Sequence, residues 1–307
     1  MKNTLFISTY FNNAHFIELQ SGCFKKFIED DYDFAVIDDS EDTTRSILSG
    51  NLSRDDIRSA CEKHSIRHIQ VPQSIHAYYS NGGYVPNENP TTNHPTERHQ
   101  AVIRWLFKNY KELGFDQYKT LALLDADVLF KQKTNIANFM EYDIIGTGRN
   151  QAINLPLGKF PDNMFSEKVR NINGQVIYFL TFFILFLNMQ KINNLETLDV
   201  GSWPETDTGS KSNFFIKENP QYTHSYLNER HVREYRIDVI SKNNTFDEDS
   251  AELIHYRAGS NWLYEKNDYY QAKLNGMLKR YLPEFCADNY VQHYDLTSRD
   301  GEHRIKK

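Results

Sequence analysis

Along the first half of the chain, short apolar runs that stop at polar or acidic residues alternate with stretches whose apolar positions recur every three or four residues. Thr4–Tyr10 reads as a first strand, opening into a polar loop at Asn12-Asn13. From Phe16 to Phe27 the positions Phe16, Leu19, Cys23, Phe24 and Phe27 share one helical face, and the acidic run Glu29-Asp30-Asp31 follows. Phe34–Ile37 is a second short strand, ended by Asp38-Asp39. A polar stretch, Ser53–His64, reads as a helix, and Arg67–Val71 as a third strand stopping before Pro72. Strand alternating with helix in this way predicts a parallel sheet with helices across its faces.

Ser80–Pro95 is rich in Asn, Pro and Gly and reads as a surface loop. A helix then starts at Thr96 and carries Val102, Ile103, Leu106 and Phe107 inward. Leu121–Leu124 is a strand without polar alternation, as expected at the centre of a parallel sheet. Asp143–Gly148 and Phe182–Asn188 supply further strands, the second feeding a short helix at Met189–Ile192. From about Val200 the pattern loosens into loops and short helices, and no interdomain linker stands out. The expectation is a single α/β domain over residues 1–307, with a Rossmann-like, mostly parallel central sheet and helices on both faces.

Chemistry first surfaces at Asp125-Ala126-Asp127, where the apolar strand ends in two carboxylates separated by one small residue. Residues i and i+2 of an extended segment point the same way, so the two acids are able to converge. Converging carboxylates repel unless a cation lies between them, and hard oxygen ligands suit Mg²⁺ or Mn²⁺. In open parallel sheets, ligands bind outside the carboxyl ends of the strands. Thr9-Tyr10, Asp38-Asp39 and the Asp125/Asp127 pair all fall at such ends, which favours a shared, nucleotide-type crevice.

Composition narrows the class. Hydrophobic residues make up 39% and charged residues 25%, ample for a folded core. A net charge of −6 argues against nucleic acid or an anionic membrane surface as partner. Cys23, Cys61 and Cys286 lack zinc or redox spacing, the start of the chain enters a strand directly, and the apolar run Val176–Met189 is about 14 residues, too short to span a bilayer. A cytoplasmic protein with no transmembrane segment is expected.

Two later segments join the acidic strand end: Trp203-Pro204-Glu205-Thr206-Asp207-Thr208-Gly209, and His255-Tyr256-Arg257-Ala258-Gly259-Ser260-Asn261-Trp262 after the apolar pair Leu253-Ile254. In this order the chain resembles the GT-A-fold, nucleotide-sugar-dependent glycosyltransferases, and the His255 segment resembles the His-x-x-Gly-x-x-Lys-Pro-Trp motif of glycogenin-like enzymes. It departs from that motif in placing Gly259 one residue late and in having Ser260-Asn261 before Trp262. The resemblance implies a nucleotide-sugar half, 1–130, ending in the metal motif, and an acceptor half, 131–307. It implies Mn²⁺ (or Mg²⁺) on Asp125, Asp127 and His255, and a UDP- or GDP-linked sugar as donor to a glycan acceptor. Thr9, Tyr10, Asp38 and Asp39 would meet the nucleoside, Arg257 would supply positive charge to the diphosphate, and Trp262 would join the nucleotide-sugar site. Arg104, two turns into its helix, would either meet the diphosphate or, as its position favours, form a surface salt bridge. Glu205 or Asp207 would serve as base if the anomeric configuration inverts, or bind the acceptor if it is retained. Competing expectations are a sugar-phosphate nucleotidyltransferase, which should carry a Gly-rich basic loop that Ser8–His15 lacks, and a non-catalytic carbohydrate-binding protein.

Overall fold

A computed structural model of the chain describes residues 2–10, 14–40, 54–72, 74–75, 95–153, 170–171, 174–201, 209, 211–227, 230–232, 246–248, 251–256 and 267–285. Its strands are β1 (Lys2–Tyr10), β2 (Tyr32–Asp38), β3 (Arg67–Gln70), β4 (Tyr118–Asp125), β5 (Val128–Phe130), β6 (Ile144–Ile153), β7 (Arg170–Asn171), β8 (Gly174–Asn188), β9 (His224–Leu227), β10 (Arg230–Val232), β11 (Phe246–Glu248) and β12 (Leu253–His255). Its helices are α1 (His15–Phe27), α2 (Arg54–Lys63), α3 (Pro95–Lys108), α4 (Ser212–Glu218) and α5 (Asn267–Tyr281). The fold class is α/β, with a mixed, mostly parallel central sheet flanked by helices. The chain groups into two compact units, one drawn from Met1–Leu5, Val71–Leu123 and Ala137–Asn228, the other from Phe6–Gln70, Leu124–Ile136 and Glu229–Lys307.

In the second of these, β2 and β3 run parallel, in register from Ala35 opposite Arg67 to Asp38 opposite Gln70. Parallel neighbours need a crossover, and α2 provides it. Helix α1 forms where the apolar spacing places it and buries Phe16, Leu19, Cys23, Phe24 and Phe27. Phe6 stacks on Phe24 with ring centroids 4.4 Å apart, and Phe130 meets both rings edge-on at 5.8 and 5.9 Å. Full burial of each such ring contributes about 1.5–3 kcal/mol, so this cluster fixes α1 to the strands it covers. Helix α1 also buries polar residues: Glu18 accepts from Lys63 Nζ at 2.6 Å, and Gln20 is fully enclosed. A separate antiparallel sheet runs β10-β11-β12-β5, where Leu253, Ile254 and His255 face Phe130, Leu129 and Val128 in turn.

In the other unit the strand order is β4-β8-β6-β9, with β7 on β8. Strand β6 is antiparallel to β8 and parallel to β9. The apolar run Val176–Met189 is almost wholly strand β8, and among the described residues no helix is long and apolar enough to cross a membrane. The short helix expected at Met189–Ile192 is a turn instead. Asn188 is the reason: its Oδ1 accepts the Gln190 N–H at 3.1 Å, and its carbonyl takes the N–H groups of Lys191 and Ile192. An Asn side chain that captures the backbone two residues on favours a turn over continued helix. Asp143 is equally structural, accepting Thr223 N at 2.9 Å and Thr223 Oγ1 at 3.0 Å and pairing with Lys191 at 2.8 Å. Beyond Val200 the chain is more regular than its pattern predicts, holding strands β9 to β12 and the 15-residue helix α5.

Candidate functional site

Strand β4 ends at Asp125, and β5 resumes at Val128, so Ala126 and Asp127 form a two-residue turn between them. The two carboxylates converge because the chain bends there, not because an extended strand alternates through them. Pairing of β12 with β5 places His255 opposite Val128, and the next residue continues the ladder, with Tyr256 N–H donating to the Asp127 carbonyl at 3.0 Å. One His side chain is thereby delivered to the acidic turn by register alone. His255 Nε2 lies 3.1 Å from Asp127 Oδ1. One ligand atom from each of Asp125, Asp127 and His255 falls within 4.8 Å of the others, and both Asp127 and His255 are buried. Two anionic oxygens and an imidazole nitrogen converging in a largely dry site can chelate a divalent cation of the Mn²⁺ or Mg²⁺ type.

The turn is held from its other side by α1. Gln20 Nε2 donates to the carbonyls of Asp125 at 2.8 Å and Val128 at 2.9 Å. Gln20 Oε1 accepts the Tyr10 hydroxyl at 2.9 Å, and the same hydroxyl lies 3.5 Å from the Ala126 carbonyl. Burial raises the Tyr10 phenol well above its ordinary value, with the nearby Asp127 carboxylate adding to the effect, so it is a hydrogen-bond donor. The sequence reading passed over Gln20, although a signal exists. It stands four residues from both Phe16 and Phe24, a polar side chain inside the apolar stripe.

At the end of β2, Asp38 is fully buried and both carboxylate oxygens are taken: Oδ1 accepts Ser40 N–H at 2.9 Å and Ser40 Oγ at 2.6 Å, and Oδ2 lies 2.8 Å from His68 Nε2. Asp39 is buried, and its N–H donates to the Tyr10 carbonyl at 2.7 Å. Thr9 is half-buried on β1. Arg104, on α3, directs Nη2 at Asp199 Oδ1 at 3.3 Å, and the same oxygen accepts Gly201 N–H at 2.8 Å. Glu205, Asp207, Arg257 and Trp262 lie outside the described residues.

No family model and no curated sequence relative matches the chain. Among solved structures it is similar to core-mannan synthase A from Aspergillus fumigatus in its Mn/GDP form, at 12% identity and TM-score 0.38, over 62% of this chain and 60% of that one. It is also similar to mouse xyloside xylosyltransferase 1, at 12% identity and TM-score 0.37, over 74% and 85% of the two chains. A third likeness is to galactosyltransferase LgtC in complex with donor and acceptor sugar analogs, at 14% identity and TM-score 0.33, over 74% and 73%. The chain thus spans 60% of the length of the first of these. Likeness at this level says nothing of chemistry, which is read from the chain's own side chains.

Proposed function

We propose that this chain is a metal-dependent glycosyltransferase that moves a sugar from a nucleoside-diphosphate sugar to a hydroxyl of a glycan or similar acceptor. The observation that carries the reading is the convergence of Asp125, Asp127 and His255, with ligand atoms within 4.8 Å of one another at the end of a sheet strand. Asp125 and Asp127 would hold the cation by charge, and His255 by a neutral imidazole nitrogen, a donor set that suits Mn²⁺ ahead of Mg²⁺. When bound, such a cation supplies positive charge against the diphosphate that leaves with the nucleoside.

The remaining roles fall to the protein itself. Thr9, Tyr10, Asp38 and Asp39 border the strand ends assigned to the nucleoside. With the Asp38 carboxylate committed to Ser40 and His68, its part is to set the backbone of that strand end. Arg257 and Trp262 follow His255 closely in sequence and are assigned to the diphosphate side. Arg104 is left to its ion pair with Asp199. Asp207, with Glu205 as the alternative, takes the proton of the acceptor hydroxyl if configuration inverts.

The test is a panel of UDP- and GDP-linked sugars with Mn²⁺, scored for release of nucleoside diphosphate with and without chelator. Release that needs both the metal and an added acceptor supports the reading. Failure of every donor, together with no Mn²⁺-dependent thermal stabilisation by UDP or GDP, overturns it. Stabilisation without turnover identifies a non-catalytic binding protein, and release of pyrophosphate from a nucleoside triphosphate identifies a nucleotidyltransferase.

A further inference from the structure

We propose that Gln20 is a positioning residue for the Asp125–Asp127 cation site: its buried carboxamide sets the shape of the turn that aims the two carboxylates. The inference rests on the metal reading above and adds to it a residue outside the ligand set.

Three of the four hydrogen-bonding positions of the carboxamide are used, and in one orientation. Nε2 carries two hydrogens, and two carbonyls, those of Asp125 and Val128, lie at 2.8 and 2.9 Å. Oε1 receives the Tyr10 hydroxyl at 2.9 Å. Rotating the amide by half a turn would set Oε1 against two carbonyl oxygens and take both donors away from them, so the network itself selects the orientation. Gln20 is fully buried, and its partners leave it no slack.

The two carbonyls that it holds bracket the turn, one at the last residue of β4 and one at the first of β5. Between them stand only Ala126 and Asp127. The Asp127 carbonyl is held separately by Tyr256 N–H, next to His255. Helix α1 therefore fixes the two ends of the turn, and β12 fixes its middle while delivering the third ligand. A buried network of this kind rigidifies what it touches when every member is satisfied. Groups that orient metal ligands from behind change cation affinity by about 10–100-fold when they are removed.

Replacing Gln20 by Leu keeps the size and removes both donors, leaving two buried carbonyls without them. Gln20→Glu keeps the length but turns an oxygen towards those same carbonyls. Tyr10→Phe removes the donor to Oε1 and the hydroxyl's 3.5 Å approach to the Ala126 carbonyl, and leaves the two Gln20 contacts to the turn in place. The experiment is direct titration of purified protein with Mn²⁺, following loss of the free-ion EPR signal, alongside circular dichroism and melting. Wild type, Gln20→Leu, Gln20→Glu and Tyr10→Phe are compared, with Asp127→Asn as the reference for a broken site. The expected result is a Kd raised about 10–100-fold in both Gln20 variants at unchanged secondary structure, and a smaller rise in Tyr10→Phe. Folded Gln20 variants that bind Mn²⁺ like wild type while melting earlier would show a purely structural side chain and overturn the proposal alone. If Gln20→Leu does not fold, Gln20→Glu decides by the same two readings. If neither folds, Gln20→Asn, which keeps the amide but shortens its reach to the two carbonyls, decides by the same two readings. Wild type that binds no Mn²⁺ overturns the metal reading and this inference with it.

Discussion

His255 Nε2 stands 3.1 Å from Asp127 Oδ1, joined by strand pairing between β12 and β5 and by no sequence proximity. On the proposed metal reading, mutation separates the shares of the two residues in cation binding. Asp127→Asn keeps the shape and loses an anion, so Mn²⁺ binding and transfer should both disappear with the fold intact. His255→Ala removes a neutral donor and should raise the Mn²⁺ Kd about tenfold or more. Titration of the two variants by EPR checks both. Unchanged affinity in His255→Ala would return the imidazole to a packing role.

Acid sensitivity should come from His15. Burial lowers its imidazole from 6.5 to about 3, with Asp56 pulling weakly the other way. The folded state thus keeps His15 neutral while the unfolded chain takes up a proton below pH 6.5. Stability from this group is complete above that value and is lost as pH falls towards about 3, at roughly 1.4 kcal/mol per unit. Urea unfolding at about pH 7.5 and pH 5.5 should therefore show wild type losing about 1.4 kcal/mol more than His15→Leu between the two conditions. Equal losses would mean that His15 titrates normally in the folded protein.

Gly209 is fixed by its backbone. Its φ is +92°, and a Cβ there would run into the Leu180 carbonyl oxygen and come within 2.5 Å of the Phe182 ring. Its N–H donates to the Val200 carbonyl at 3.0 Å, and its own carbonyl accepts Ser212 N–H at 2.8 Å. Gly209→Ala should cost about 2 kcal/mol or more of stability, because both the conformation and the space exclude a methyl group. Thermal unfolding measures this, and a loss below about 0.5 kcal/mol would mean that the backbone relaxes freely.

Much of this architecture was legible in the chain because it rests on local pattern. The apolar spacing of Phe16, Leu19, Cys23 and Phe27 gives α1 within a residue, and the unbroken run Leu121–Leu124 gives the core of β4. The acidic pair at the end of that strand was also visible, but the reason for its convergence was not. An extended strand and a two-residue turn both bring Asp125 and Asp127 together, and sequence periodicity does not separate them. The turn at Asn188 went unseen because an apolar residue and a Lys read equally well as a helix start, whereas one side-chain hydrogen bond decides the outcome. Gln20 was missed for a related reason. Its role comes from carbonyls on β4 and β5 far along the chain, and only tertiary structure supplies them.

The step from acceptor hydroxyl to nucleophile is assigned to Asp207 or Glu205, and the two make different demands. A general base acts in the transition state, so its loss should lower turnover by roughly 10²–10⁴-fold and leave donor affinity nearly unchanged. A carboxylate that only binds the acceptor would instead raise the acceptor KM, with a smaller change in turnover. Asp207 is the stronger candidate for the base. It precedes by two residues the backbone held at Gly209, and its side chain is shorter than that of Glu205, so fewer rotatable bonds separate its carboxylate from a fixed point. Positioning matters because a proton acceptor must sit within hydrogen-bond reach of the hydroxyl as it attacks. Asp207→Asn is therefore expected to show the large loss in turnover, and Glu205→Gln the rise in acceptor KM. Steady-state kinetics of both variants, with the anomeric configuration of the wild-type product read by NMR, tests the assignment. Inversion with a turnover defect confined to Asp207→Asn upholds it. A product that keeps the donor's configuration, or near-normal turnover in both variants, removes the need for a base and leaves the pair as acceptor ligands.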